Sequence, residues 1–238
     1  MFWKRLTKLA RICSDPFLFS ALLKGVAAGV EHTTALQDLE VACVVDIGAN
    51  RGQFALISHK LFPGAAIQSF EPLQEPARIF SRVFGETANV RLYPYAVGRE
   101  QTSAMMHITK DDDSSSLLPI TNTQSNMFPA AIEIETRQVP VFPLSHLLDA
   151  VSIPPASLLK IDVQGFELEV LKGCEDLLDR FSHLYIECSF IELYEGQALA
   201  HQIITWLEQR EFRLSGVYNM HYARHAGAVQ GDFLFTHA

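Results

Sequence analysis

Cysteine is scarce in this 238-residue sequence, which has four: Cys13, Cys43, Cys174 and Cys188. None forms a C-x-x-C pair, so the spacing of a zinc finger and the density of a disulfide scaffold are both missing. Isolated thiols in a chain that is 48% hydrophobic are typical of buried, reduced cysteines. We therefore expect a reducing compartment, the cytoplasm, with a single disulfide as the alternative.

Long apolar runs are missing as well. No run approaches the roughly 18 residues that a membrane-spanning helix needs. The opening residues, MFWKRLTKLARICSD, are broken by charge every few positions, which is not typical of a secretory signal peptide. Neither an internal repeat nor a linker divides the chain, so we expect one folded domain over residues 40–238.

Positive charge is limited: 19 Lys and Arg residues stand against 27 Asp and Glu residues, a net charge of −8. Such a chain has no overall field that attracts a nucleic-acid backbone, and we expect no nucleic-acid partner. The exception is residues 1–14, which hold four cations and no acid. Apolar residues recur there at helical spacing, which predicts an N-terminal helical cap over residues 1–39. The cations of the cap either stay in water or rest on an anionic membrane surface.

From residue 40 onward, short apolar runs alternate with amphipathic segments. The run Val41–Val45 has no polar alternation, as in a strand buried on both faces. The alternation predicts an α/β fold with a parallel sheet and right-handed crossovers. Residues 98–140 break the rhythm, and we interpret them as an insertion with a hairpin and a mobile loop. Strands are predicted at 41–45, 65–70, 90–95, 158–163, 183–188, 213–218 and 232–236, and helices at 53–61, 74–84, 166–180 and 197–210.

A glycine turn follows the first predicted strand, at Gly48-Ala49-Asn50-Arg51-Gly52. Glycine permits a positive φ and a close approach of ligand to backbone. A dinucleotide site requires Gly-x-Gly-x-x-Gly, so that a pyrophosphate can lie on the helix N-terminus. Here Asn50 and Gln53 replace the second and third glycines. The turn is either structural only or a site for a different ligand.

Two acids identify that ligand. Asp46 ends the first predicted strand, and Glu71 ends the second, where nucleotide-binding folds hold a ribose diol. Negative charge beside the turn favours a cationic ligand over a diphosphate. S-adenosylmethionine has an ammonium group, a sulfonium and a ribose but no phosphate. We therefore predict that Asp46, Gly48, Asn50, Gly52 and Glu71 bind S-adenosylmethionine.

The sequence resembles the FkbM family of S-adenosylmethionine-dependent methyltransferases over residues 43–236. The segments that carry the resemblance are VDIGANRG at 45–52, FEP at 70–72, NV at 89–90, AVG at 96–98, SSSL at 114–117, VPV at 139–141, LKIDVQGFELEVLKG at 159–173, IE at 186–187 and DFLF at 232–235. The resemblance implies a Rossmann-like fold of about seven strands with an antiparallel last strand. It also implies methyl transfer to a hydroxyl of a sugar, a glycolipid or a secondary metabolite.

The same resemblance extends the cofactor site. It implies that Ala96 borders the adenine through its backbone, and that Ser115 or Ser116 donates a hydrogen bond from a lid. One position departs from the family, because Gln164 stands where relatives usually carry a glutamate. Gln164 can still form hydrogen bonds, but it cannot take a proton.

Candidate bases lie at strand ends, because an acceptor alcohol must lose its proton during the transfer. Asp162, just before Gly165, is the first candidate, and Glu187 is the second. The alternatives are that Asp162 caps the next helix or pairs with Lys160, and that Glu187 is a buried hydrogen-bonding group. Weaker candidates are Glu167, His146, His221 and His225. No metal-ligand spacing is present, so we expect no metal.

Other functions remain as alternatives. The α/β alternation with a strand-end acid also suits an NAD-dependent oxidoreductase, although the glycine spacing does not. Gln164 leaves open a non-catalytic protein that only binds S-adenosylmethionine. No Asn/Asp-Pro-Pro-Tyr/Phe motif is present, and no cysteine follows a proline. Amine methylation and cytosine-C5 methylation are therefore not favoured.

Overall fold

The computed structural model describes residues 2–85, 87–110, 112–223 and 226–237, without the side chains of residues 2–5 and 112. The helices are α1 (Phe2–Cys13), α2 (Pro16–Leu23), α3 (Thr33–Leu36), α4 (Gln53–Leu61), α5 (Gln74–Phe84), α6 (Asn122–Met127), α7 (Glu167–Gly173) and α8 (Ala200–Glu208). The strands are β1 (Cys43–Ile47), β2 (Ala66–Phe70), β3 (Val90–Tyr93), β4 (Ala96–Val97), β5 (Thr102–Thr109), β6 (Glu133–Phe142), β7 (Ser157–Ile161), β8 (Phe181–Ser189), β9 (Phe212–Ala223) and β10 (Gly227–His237).

A seven-stranded sheet organises the chain, in the order β3-β2-β1-β7-β8-β10-β9. The first five of these strands run parallel, and β10 is antiparallel to both β8 and β9. This confirms the predicted fold class, a mostly parallel sheet of seven strands with an antiparallel end. The order reverses between β1 and β7, which is where ligands bind in open α/β sheets.

The central strands are buried on both faces, as their largely apolar sequence predicts, although Asp46 in β1 and Lys160 in β7 are charged. All five residues of β1 and all five of β7 are buried. Val45 and Leu159 contact the core on the side of α7 and α8, whereas Val44 and Leu158 contact the core on the side of α4 and α5. Each fully buried aliphatic side chain contributes about 1.5–3 kcal/mol, so the sheet centre is a rigid platform for its strand ends.

The first three helices pack on one side of this platform. Ile12, Leu18 and Val26 belong to the same buried cluster as Phe54 of α4. Asp15 caps α2 by accepting from the backbone N–H groups of Phe17 and Leu18, at 3.0 and 3.1 Å. The helical periodicity predicted for this segment is thus seen in α1. Within the described residues, none of the helices combines the length and the apolarity that crossing a bilayer requires.

Two predicted elements differ from the structure. The helix predicted over residues 166–180 is divided into α7 and a 3₁₀ helix over Glu175–Arg180. Gly173 marks the division, where a Cβ would lie 2.1 Å from the carbonyl oxygen of Gly98. The last strand pair is also longer than predicted. Its outer strand, β9, is largely exposed, so its sequence lacks the continuous apolar run that indicates a buried strand. Between residues 98 and 140, β5 pairs antiparallel with β6, and β6 also pairs with β4.

Candidate functional site

A cavity of about 250 Å³ opens at the carboxyl ends of β1, β2 and β7. Several predicted cofactor residues line it: Gly48, Asn50, Glu71, Ala96 and Ser115, together with Asp162. Five separate sequence segments therefore meet at this cavity, beside the reversal of strand order. The remaining predicted cofactor residues, Asp46, Gly52 and Ser116, do not line this cavity.

Gly48 is required by its surroundings. It has φ +77°, and a Cβ there would lie 1.8 Å from the carbonyl oxygen of Asp162. Gly52 has φ +96° and packs against the rings of Phe80 and Phe84. Gly48 thus sets the contact between the turn and the end of β7. Gly52 is the N-cap of α4 and does not line the cavity, and its predicted contact with the cofactor stays a prediction.

The backbone N–H groups of the turn are already engaged inside the protein. Those of Gly48 and Ala49 donate to the carbonyl of Phe70, at 3.1 and 3.0 Å. Those of Asn50, Arg51 and Gly52 donate to acceptors on Glu71, Asn50 and Ala49, at 2.9, 2.6 and 2.8 Å. A diphosphate would need these donors, so the turn is not arranged for a dinucleotide.

Glu71 is a fixed anion at the cavity wall and is only 6% exposed. One carboxylate oxygen accepts from the Asn50 N–H at 2.9 Å, and the other accepts from the Leu73 N–H at 2.7 Å. These two donors fix the orientation of the carboxylate at the cavity wall.

Asp46 lies beneath the cavity and not in its wall, and its predicted contact with the ligand stays a prediction. Its side chain is fully buried, 3.1 Å from the ammonium of Lys160, its register neighbour on β7. Lys160 also donates to the carbonyl of Gly48 at 2.8 Å. Burial lowers the pKa of Lys160, but the nearby carboxylates, Asp46 first, raise it overall. The buried pair supports the turn from below, and the predicted partnership of Lys160 with Asp162 is replaced by this one.

The two serines occupy different positions. Ser115 lines the cavity, and its hydroxyl accepts from the Thr109 N–H at 3.2 Å. Ser116 is 1% exposed, and its hydroxyl donates to the carbonyl of Gln164 at 2.6 Å. Ser116 is therefore a structural link to residue 164, and its predicted role as a cofactor donor stays a prediction.

A second cavity, of about 480 Å³, adjoins the first. Asp113, Asp162 and Gln164 line both cavities. One wall of the second cavity is mainly apolar, formed by residues 127–131, and the opposite wall carries Glu187 and Gln230. The site thus has two chambers, and Asp162 with Gln164 lies where they join.

The two candidate bases are brought together by amide groups. The Gln164 side-chain nitrogen donates to Asp162 Oδ1 at 2.7 Å and to Glu187 Oε2 at 2.9 Å. The Gln230 nitrogen donates to the other oxygen of Glu187, at 2.8 Å. Burial raises the pKa of Glu187 well above its usual range, and the neighbouring Asp162 carboxylate raises it further. Among the described residues, no group of three or more His, Cys, Asp or Glu side chains is arranged to hold a metal ion.

The weaker candidates have other partners. Glu167 is buried and accepts from the N–H groups of Val163 and Gly165, at 3.2 and 3.0 Å. Burial raises its pKa to about 7, and its contacts stabilise the turn after β7. His221 packs its ring 5.3 Å from that of Phe128, and His146 lies in a short 3₁₀ helix. His225 lies outside the described residues.

Sequence reasoning missed several residues of this site. Lys160 stands in an otherwise apolar strand, and a buried cation must have a partner, which was the available signal for the Asp46 pair. Gln230 and Tyr194 had no local signal. Tyr194 donates to the Gln164 side-chain oxygen at 2.8 Å, a contact that depends on the tertiary fold.

Comparisons with known proteins agree with this geometry. A family model described as the methyltransferase FkbM domain matches residues 46–214. The 2-O-methyltransferase NoeI of Sinorhizobium fredii is 27% identical over 80% of this chain and 77% of its own. The 31-O-demethyl-FK506 methyltransferase FkbM of Streptomyces tacrolimicus is 29% identical over 56% of this chain and 59% of its own. Magnesium protoporphyrin IX methyltransferase from Synechocystis, solved with bound SAM, shares the fold at a TM-score of 0.51 and 11% identity, over 88% of this chain and 76% of its own.

Proposed function

The chain belongs to the FkbM family of methyltransferases, and from this membership we propose that it transfers a methyl group from S-adenosylmethionine to a hydroxyl oxygen. The acceptor is a sugar, a glycolipid or a secondary metabolite, since the named relatives are O-methyltransferases. The observation that carries the proposal is the pair of adjoining cavities with Asp162 at their junction. One chamber takes the methyl donor, and the other takes the acceptor.

The first chamber suits a cationic ligand. Glu71, Asp113 and Asp162 line it, together with Glu31, which is paired with Lys8 at 2.8 Å, and Lys160, whose ammonium contacts Asp46 and the turn carbonyls. Carboxylates at the wall attract the sulfonium and ammonium groups of S-adenosylmethionine. Glu71 would accept the ribose hydroxyls, and Ala96 borders the same chamber. The engaged N–H groups of the turn argue against the oxidoreductase alternative, which needs a diphosphate there.

Bound S-adenosylmethionine supplies an electrophilic methyl group. An alcohol is a weak nucleophile until its proton begins to leave, so a positioned base accelerates the transfer, typically by about 10²–10⁴-fold. Asp162 reaches both chambers, and we assign it as the acceptor of that proton. Glu187 faces the second chamber, where its two oxygens accept from the side-chain amides of Gln164 and Gln230. We therefore assign Glu187 to binding and orienting the acceptor.

The second chamber suits an acceptor with both a polar and an apolar face. Asp162, Glu187 and Gln230 offer hydrogen-bonding groups, and residues 127–131 offer apolar surface that includes the ring of Phe128. A sugar ring or a partly hydroxylated metabolite has this division. The net charge of −8 gives a nucleic acid no overall attraction.

The test combines binding and transfer. Calorimetry of the purified protein should detect S-adenosylmethionine but not NADH. Labelled S-adenosylmethionine should then transfer its methyl group to members of a panel of hydroxylated sugars, glycolipids and polyketides. Binding of NADH in preference to S-adenosylmethionine would refute the cofactor assignment. Cofactor binding without transfer to any acceptor would support the non-catalytic alternative.

Peripheral contact of residues 1–14 with an anionic membrane is a separate proposal. Leu6 and Leu9 of α1 are 43% and 46% exposed, close to the cations Lys8 and Arg11. Co-sedimentation should occur with phosphatidylserine vesicles and not with neutral phosphatidylcholine vesicles, and equal behaviour with both would refute it. The free cysteines of the described chain support a reducing compartment, which we propose is the cytoplasm.

A further inference from the structure

The amide of Gln164 lies between two acids that would otherwise repel each other. Its single nitrogen donates to Asp162 Oδ1 at 2.7 Å and to Glu187 Oε2 at 2.9 Å. Both N–H bonds of the amide are therefore used, one on each carboxyl group. Like-charged carboxylates that converge in this way need a proton, a cation or hydrogen-bond donors between them.

The orientation of the amide is fixed from both sides. Its oxygen accepts from the Tyr194 hydroxyl at 2.8 Å, and Tyr194 in turn accepts from Gln124 at 3.1 Å. A reversed amide would place its oxygen against two carboxyl oxygens. The backbone is fixed as well, because Gln164 has φ +57° and its carbonyl accepts from Ser116 at 2.6 Å. The side chain is thus held in place before any ligand enters.

The amide nitrogen of Gln164 lies between the two acids, 2.7 and 2.9 Å from its acceptors. These are ordinary N–H···O distances, longer than the roughly 2.1 Å of a Mg²⁺–oxygen bond. The nitrogen carries hydrogens toward both acids, so it repels a cation instead of binding it. Gln230 supplies a further donor to Glu187.

We infer that Gln164 takes the place of a bridging cation, and that its amide holds Asp162 and Glu187 together as a metal-free acid pair. The reaction that the pair serves rests on the proposed function, whereas the geometry of the pair does not. Gln164 is then a positioning residue: it fixes the oxygen of Asp162 that it contacts and leaves the other oxygen for the acceptor hydroxyl.

The substitution Gln164→Glu tests this directly, because it keeps the shape and replaces the two donors with a third carboxylate. Titration of Mn²⁺ alone, by calorimetry, should give an affinity at least tenfold higher for Gln164→Glu than for the wild type. Gln230→Glu is the charge-matched control: residue 230 contacts only Glu187 of the pair, so its Mn²⁺ affinity should stay within threefold of wild type. Equal affinity of wild type and Gln164→Glu would overturn the inference.

Activity gives the second measurement. Wild-type transfer should be insensitive to EDTA, whereas Gln164→Glu should lose most of its activity at neutral pH and regain it with Mn²⁺. Gln164→Met, which removes the donors without adding charge, should lower kcat and shift the lower limb of the pH–rate profile while the KM for S-adenosylmethionine is unchanged. An unchanged profile, or wild-type activity abolished by EDTA, would refute the inference. The Mn²⁺ titration needs neither cofactor nor acceptor, so failure of the proposed function would be seen separately.

Discussion

Replacing Lys160 by methionine keeps a long, unbranched side chain and removes the cation of the buried Asp46–Lys160 pair. Asp46 is fully buried, 3.1 Å from the ammonium, and the same ammonium donates to the carbonyl of Gly48 at 2.8 Å. Breaking a buried pair from one side typically costs about 3–5 kcal/mol, because the remaining charge is left uncompensated. We expect a loss of this size in the free energy of unfolding at pH 7.

The Asp46 carboxyl is costly to ionise at this position. Burial raises its pKa above the ordinary value of 3.8 even in the presence of Lys160, and without Lys160 the carboxyl must either ionise unpaired or stay protonated. For a chain of this length, the melting temperature should fall by about 10 °C.

The pH dependence has a definite sign. In the Lys160→Met variant, the folded-state pKa of Asp46 lies further above the unfolded value, so the native state binds more protons than the unfolded state. The free energy of unfolding therefore decreases as pH rises from about 4 through the raised pKa. The loss in free energy of unfolding relative to wild type should be larger at pH 8 than at pH 5.

The assay is urea unfolding followed by circular dichroism at both pH values. The control is the double variant Asp46→Leu, Lys160→Met, which removes both charges. It should be more stable than Lys160→Met, because a buried pair can be replaced by apolar residues at little cost. A loss below about 1 kcal/mol for Lys160→Met, or a double variant no more stable than the single one, would refute this account of the pair.

Three further substitutions separate the parts of the site. Glu71→Gln should weaken S-adenosylmethionine binding about 10–100-fold by calorimetry, since hydrogen bonds to a charged group contribute about 1.5–3 kcal/mol; exposed Glu75→Gln is the control, and an unchanged affinity contradicts the assignment. Asp162→Asn should lower kcat at least 100-fold, and full turnover at neutral pH would exclude it as the base. Gly48→Ala should destabilise the protein by more than Gly64→Ala in thermal melts, because both have positive φ but only Gly48 lacks room for a Cβ; equal losses would show that φ alone matters.

Much of the fold was predictable because the sequences of its central strands are mostly apolar. Strands buried on both faces have near-continuous apolar sequences, and helices that pack on the sheet have amphipathic ones. Helices α4 and α5 begin and end at the residues predicted. The long exposed strand β9 was underestimated, because an edge strand with one solvated face has no comparable apolar signal.

The site was less predictable, because its contacts depend on register across the sheet. The prediction that Asp46 touches the ligand followed from its position at a strand end. Whether that side chain faces the cavity or the core depends on the register with β7, which places Lys160 beside it. The amide bridge of Gln164 likewise requires Tyr194 and Glu187, from separate segments, to meet at one point.

One backbone contact joins the donor chamber to the candidate base. The Asp162 N–H donates to the carbonyl of Ile47 at 3.2 Å, and the Asp162 carbonyl faces Gly48 so closely that no side chain fits between them. Lys160 holds the carbonyl of Gly48 from below. The turn that would hold the donor and the acid that would take the proton therefore share one rigid anchor, and the absence of a side chain at Gly48 sets the distance between them. A substitution that moves the turn must also move Asp162, so changes at Gly48 should alter donor affinity and kcat together, whereas changes at Glu71 should alter donor affinity alone.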